Sequence, residues 1–311
     1  MKPLLYIILT MFFSYTFSQK RETSNISKGM IHRIKNDLEI ITKTPKPRNY
    51  QNIETLNYVA NYIKDSFKKV CDTVYYQPYS INNNEYKNVI GSVGIKNKER
   101  IIIGAHYDVF GDSNGADDNA SGIVALLELV RMLSKENLHY RIDFVAYTLE
   151  EPPFFRTKQM GSYIHAKNMY DNKTSIKGMI CLETIGYYNE QTNSQEYPIK
   201  GMSLLYGNKG DFITVVQNSS AGNFSNQVKN LMEEQKFIKT KSYKGSSKVE
   251  GVDFSDHLNY WKFNYDAVMI TNTAFYRNKN YHTNKDTIET LDLEKISLVI
   301  QQLYQTILQI K

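Results

Sequence analysis

Two short stretches carry residue types that could do chemistry: Ile101-Ile102-Ile103-Gly104-Ala105-His106-Tyr107-Asp108, then Gly115-Ala116-Asp117-Asp118-Asn119-Ala120-Ser121-Gly122. An apolar run ending in His-x-Asp reads as a buried strand that delivers an imidazole to its carboxyl end, where open α/β sheets hold their ligands. Two adjacent acids, Glu150 and Glu151, also follow an apolar run directly, from Ile142 to Leu149, and His282 comes late in Tyr281-His282-Thr283. Imidazole and carboxylate groups collected along one sheet edge suggest a divalent zinc site. A hydrolytic zinc site needs such ligands, an open position for water, and a base that the metal does not tie up.

Each piece has a structural explanation as well. His106 could be a satisfied histidine at a strand end, and Asp117 and Asp118 could simply favour the positive start of the helix that follows them. Glu150-Glu151 before Pro152-Pro153 resists such an explanation, since two uncompensated acids at the edge of a core repel each other. A cation nearby resolves the repulsion: one acid binds it while the neighbour, facing the cavity, takes a proton from water. Asp108, two residues beyond His106 on the same side of the strand, is placed to hold the second ring nitrogen.

The elements that must position these groups alternate. Helical spacing runs from Ile26 to Thr42 and from Asn52 to Val70, on either side of Pro45 and Pro47. Strand-like segments at Thr73 to Ile81 and Tyr86 to Ile95 flank Asn82-Asn83-Asn84 as a hairpin feeding the strand that ends at His106. Asn119 to Leu133 sets Ile123, Leu126, Leu127, Val130 and Leu133 on one helical face. The pattern continues with a strand at Ile142 to Leu149, a helix at Met160 to Asn168, and a strand at Ile176 to Leu182 that ends at Glu183. Beyond Pro198 it predicts a strand at Met202 to Tyr206, helices at Asp211 to Asn218 and Phe224 to Gln235, a strand at Ala267 to Thr271, and a last helix at Leu293 to Ile310. Such alternation implies an α/β fold of three layers, a mostly parallel central sheet with helices on both faces. No repeat or low-complexity linker interrupts it.

Residues 1–18 read as a signal peptide: Lys2, an apolar run from Leu4 to Phe17, and small residues at Thr16 and Ser18 before Gln19. An uncleaved anchor is the alternative, although the run is shorter than the ~20 residues a spanning helix needs, so stable membrane insertion is not expected. No cysteine follows to carry a lipid. Residues 19–311 then form a single catalytic domain exported from the cytoplasm, secreted or periplasmic. The net charge of +6 is spread along the chain and gives nucleic-acid binding little support. Lys241, Lys244 and Lys248 lie in a Ser/Gly-rich stretch that reads as a solvated loop. Cys71 and Cys181 permit one disulfide, but Cys181 lies in an apolar run where a buried thiol is the simpler reading. His32, His139 and His165 read as surface or packing residues. Tyr187, Tyr188, Phe154 and Phe155 flank the ligand segments and either line a side-chain pocket or pack the core.

The ordered set His106-Tyr107-Asp108, Gly115 to Gly122, Glu150-Glu151 with Met160-Gly161-Ser162, Glu183-Thr184-Ile185-Gly186, Ser255-Asp256-His257 and Tyr281-His282-Thr283 resembles the secreted zinc aminopeptidase family. That family includes glutamate carboxypeptidase II, the transferrin receptor ectodomain and the glutaminyl cyclases, and the likeness runs from about Ile26 to the C-terminus. The resemblance implies two zinc ions. His106 and Glu183 would bind one, Glu151 and His282 the other, and Asp118 both. It makes Glu150 the general base, gives Asp108 the orienting of His106, and sets Tyr281 where some relatives place a hydroxyl that donates to the oxyanion. His257, within Ser255-Asp256-His257, reads as scaffold or as a residue behind the ligands, not as a ligand itself. Glu183 departs from the pattern, because several dizinc aminopeptidases have Asp there, and the longer acid bears on metal occupancy and on which chain end is recognised.

The expected substrate is a peptide or small aminoacyl compound. Two other readings stand beside the exopeptidase: a glutaminyl cyclase with one zinc on Asp118, Glu151 and His282, Glu150 as proton shuttle and His106 unbound, and a non-catalytic binding ectodomain. No Gly-x-Ser-x-Gly segment, dinucleotide fingerprint or phosphate loop occurs.

Overall fold

The computed structural model describes residues 28–311. The leader expected over residues 1–18 lies outside the described residues, as does the start of the first helix, α1, described over 28–42. Thereafter come α2 (Ile53–Lys68), β1 (Thr73–Ile81), β2 (Asn84–Val93), β3 (Arg100–His106), α3 (Gly122–Leu133), β4 (Arg141–Tyr147), α4 (Gly161–Asp171), β5 (Ile176–Glu183), α5 (Met202–Tyr206), β6 (Ile213–Asn218), α6 (Asn223–Glu234), β7 (Thr240–Gly245), α7 (His257–Lys262), β8 (Ala267–Thr271) and α8 (Leu293–Gln309).

One eight-stranded sheet takes the order β1-β2-β4-β3-β5-β8-β6-β7. Its centre, β4-β3-β5-β8, is parallel, and both flanks meet it antiparallel, through β2 on β4 and β6 on β8. The α/β class and layers are as expected. The hairpin closes through Asn82 and Asn83, both at positive φ (49° and 65°), and then pairs with β4 instead of β3.

The apolar runs are continuous because the central strands are covered twice. Ile101 and Ile103 of β3 enter the larger core with α1, α2, α3, α6 and α8, while Ile102 faces the smaller one with α4 and α7. The same alternation divides Ile180 and Leu182 from Met179 and Cys181 on β5. α3 is buried on nearly every side, a core helix more than an amphipathic one.

Three expectations fail. Met202–Tyr206 is a short helix, held between Gly201 (φ 91°) and Gly207 (φ 75°), whose left-handed backbone turns the chain in and out of it. The segment expected as a helix from Asp211 is strand β6, whose Ile213, Thr214, Val215 and Val216 are buried between neighbours. Lys241 and Lys244 lie on edge strand β7, not in a loop; only Lys248 stays in one. Lysines along an edge leave the hydrogen-bonding pattern of a strand intact while discouraging further pairing. Both cysteines are free thiols.

Candidate metal centre

The parallel strands β3, β4, β5 and β8 end on the same side of the sheet, and every ligand candidate stands at or just beyond those ends. His106 closes β3, Glu183 closes β5, Glu150 and Glu151 follow β4, and His282 lies in the loop after β8. Asp118 occupies an irregular turn, 116–121, that leads into α3, where non-helical backbone at Asp118 and Asn119 turns the carboxylate inward.

Asp118 stands between two groups. Its Oδ1 lies 3.2 Å from His106 Nε2, which is also 3.3 Å from Glu183 Oε2. Its Oδ2 lies 3.1 Å from His282 Nε2, which is 3.2 Å from Glu151 Oε2. His106, Asp118 and Glu151 offer ligand atoms within 4.8 Å of one another. Glu150 belongs to neither group; its nearest imidazole contact is 3.9 Å, to His106 Nε2. Tyr281 adjoins the centre from the wall of a neighbouring cleft.

These residues fit a metal. His106 Nε2, Asp118 Oδ2, Glu151 Oε1 and His282 Nε2 are buried without a hydrogen-bond partner in the protein, although carboxylate oxygens crowd the imidazoles. Unpaired buried polar atoms are costly, and atoms that approach without hydrogen-bond alignment are arranged as ligands of shared cations are. The protein's own charges tell the same story. Burial, reinforced by Glu151 and Glu183, raises the Glu150 carboxyl well above its ordinary range despite His106, and burial with Asp118 lifts Glu151 to about 8. Burial opposes charge on Asp118 too, but both imidazoles hold it well below its usual range. His282 is driven to about 10 by Asp118 and Glu151, against the opposing pull of burial. Nitrogen and oxygen donors in this proportion suit zinc.

Around the ligands lies a frame that sequence reading partly missed. Asp117 does not cap α3. It accepts the backbone N–H of Gly186 (2.8 Å) and Tyr187 (3.1 Å) and the side-chain amides of Asn272 (2.9 Å) and Asn278 (3.0 Å), tying the ends of β5 and β8 together. Asn119 Oδ1 instead takes the N–H of Gly122 (3.1 Å). Asp286 accepts the N–H of Asp117 and of Asp118, at 2.8 and 3.0 Å, so the His282 loop grips the Asp118 turn. The buried Arg48 donates to the carbonyls of Tyr107, Asn114 and Gly115. Nothing local to Arg48 or Asp286 marks either; only a fixed spacing to the ligand loops could have.

Glu183 reaches the centre on its longer arm, and Ser255 Oγ donates to its Oε2 at 2.6 Å. His257 donates through Nε2 to Val252 O, a scaffold contact, and His165 is buried against the Tyr260 hydroxyl. The cleft beside Glu183 and Tyr281 opens to solvent and is walled by aromatic side chains, among them Tyr206, Phe212, Tyr243 and Phe254. Tyr187, Tyr188, Phe154 and Phe155 do not line it. Phe154 packs on Tyr50 and Tyr86, Phe155 on Phe254, and Tyr188 lies under Arg277.

Comparison with known proteins agrees. The chain is 41% identical over 276 residues to the uncharacterized protein YfbL of Escherichia coli, covering 86% of this chain and 84% of that one. It is 26% identical to leucine aminopeptidase 1 of Ajellomyces dermatitidis over 66% of this chain, and spans about half (51%) of that relative's length. Among solved structures, the LapA aminopeptidase of Legionella pneumophila superposes with a TM-score of 0.71 at 19% identity (92% of this chain, 74% of that chain). A glutaminyl cyclase of Bacteroides thetaiotaomicron does so at 0.65 and 17% (92% and 98%). The model of peptidase family M28 matches residues 88–307, most of the chain and every ligand candidate. With that match on the fold and the centre just described, the chain belongs to peptidase family M28 and is by class a zinc metallopeptidase.

Proposed function

We propose that the chain is an extracytoplasmic exopeptidase of the aminopeptidase type that works with two zinc ions. The observation that carries the reading is the placement of Asp118 between two histidine–carboxylate groups, with Glu150 outside both. His106, Asp118 and Glu183 would hold one ion, and Asp118, Glu151 and His282 the other. Zinc when bound supplies Lewis acidity toward the scissile carbonyl and toward water. Glu150 takes the proton from the attacking water and returns it to the leaving amine. Tyr281 remains a phenol, since burial and the surrounding acids raise its hydroxyl well above its usual range, and it donates to the carbonyl oxygen as that oxygen gains charge. Asp108 steadies the set.

The aromatic cleft takes the side chain of the residue to be released, a large apolar one. Of the acids along its wall, Glu196 is paired with Lys279 and Glu250 accepts from the Tyr276 hydroxyl, so the surface left to a side chain is in the main aromatic and apolar. The extracytoplasmic setting rests on the leader read in residues 1–18. Among the described residues no helix is long and apolar enough to cross a membrane.

Incubating the purified protein with peptides that differ only in a free or acetylated N-terminus tests this reading. Release of the first residue from the free peptide alone supports it. Cleavage of the blocked peptide contradicts the polarity, and conversion of a Gln peptide to its cyclised product without hydrolysis favours the one-zinc cyclase.

A further inference from the structure

The two histidines of the centre are held by different means. His106 is buried, and its Nδ1 stands 3.2 Å from the carbonyl oxygen of Asp108 and 3.5 Å from its Oδ1. An imidazole that binds metal ordinarily has its second nitrogen tied in this way, which fixes both tautomer and ring orientation. Among the described residues no protein group hydrogen-bonds His282 Nδ1. Its ring is stacked instead, on Phe110 with centroids 4.3 Å apart and planes at 9°, and on Tyr281 at 3.8 Å and 15°. Two rings so close and so nearly parallel cannot share one face. The imidazole is therefore sandwiched.

Phe110 is unusual in its own right. It is 37% exposed and has no place in either core, so its position is not explained by burial. It lies in the loop between His106 and Asp118, which brings one aromatic face over the other histidine. A ring that gives its lone pair to a dication becomes electron-poor, and electron-rich aromatic faces attract it more strongly in that state than when free.

We propose that Phe110 is a positioning residue that clamps the His282 imidazole for metal binding, so that it governs the site of Asp118, Glu151 and His282 and leaves that of His106 and Glu183 untouched. The proposal rests on the two-metal reading above. Its test is titration of metal-stripped protein with Co²⁺ alone, followed by visible absorption, in the wild type, Phe110→Ala and Phe110→Trp. Two binding steps are expected for the wild type. In Phe110→Ala one step weakens about tenfold or more while the other holds, and Phe110→Trp restores it. An Ala variant that titrates as the wild type does, or that loses affinity equally at both steps, overturns the proposal. Wild-type protein that takes up no Co²⁺ overturns the metal-centre reading itself, a different result from two intact steps insensitive to residue 110. Because Phe110 lies outside the cores, unfolding profiles of the stripped proteins should coincide.

Discussion

Asp108 accepts the backbone N–H of Glu150 on Oδ1 at 3.1 Å, so the acid expected to orient His106 also fixes the residue proposed as base. Its other oxygen takes the N–H of Glu151, likewise at 3.1 Å. One carboxylate at the end of β3 thus sets the backbone of two acids at the end of β4, and these bonds are better formed than its 3.5 Å approach to the His106 ring. Replacing Asp108 with Ala should lower affinity for the metal at His106 by about 10- to 100-fold and reduce kcat, with KM changing less. Metal titration beside steady-state kinetics checks this; unchanged values would leave Asp108 a bystander.

Glu150 and Tyr281 act on the reaction without holding metal in this account. Glu150→Gln should retain full zinc content while kcat falls by about 10² to 10⁴, the range for a lost general base. Tyr281→Phe should lose about 10²-fold or more in kcat with little change in KM, as for a lost oxyanion donor. A Glu150→Gln enzyme as fast as its parent on a panel of aminoacyl substrates would remove the assigned base, and an unchanged Tyr281→Phe would remove the hydroxyl's role.

The aromatic cleft gives a prediction about choice of substrate. Val216 lines it from β6, and Val216→Phe fills part of its volume. The expected result is a fall of about tenfold or more in kcat/KM for substrates with N-terminal Phe or Leu, with Ala substrates nearly unaffected. Comparing the ratio for the two classes before and after substitution checks it. An equal loss for all substrates would place the released side chain elsewhere.

His165 supplies a pH prediction far from catalysis. Burial lowers its pKa to about 4, well below the ordinary value of 6.5. The unfolded chain therefore binds a proton that the folded one refuses between those two values, and stability falls as pH drops through that window. Relative to His165→Phe, the wild type should lose stability progressively as pH falls from about 6.5 towards 4, and show no difference in pH dependence above 7. Denaturant unfolding of both proteins across this range measures the difference, which isolates His165 from the acids that titrate alongside it. Parallel pH dependences would mean that the imidazole is not held neutral.

Much of the candidate centre was legible because His106, Glu151 and Glu183 stand at or just beyond the ends of apolar runs. Ile101 to His106 and Gly178 to Glu183 are buried on both faces, so their apolar runs and their final polar residues survive in the sequence without help from tertiary structure. At the sheet's far side that signal fades. In β6 Thr and Gln interrupt the apolar pattern, and β7, an edge strand of lysines and serine, has no apolar run to find. Arg48, Asp286 and the cleft wall were invisible for another reason. Their roles depend on carbonyls, amides and rings contributed by remote loops, and no local periodicity encodes such a meeting.

Anomalous diffraction at the zinc edge, from crystals grown with zinc, tests the central claim most directly. The account predicts two peaks about 3.5 to 4 Å apart, the spacing of co-catalytic pairs, one beside His106 and Glu183 and one beside Glu151 and His282, with one Asp118 oxygen directed at each. A single peak on Asp118, Glu151 and His282, or no peak among these residues, would contradict it.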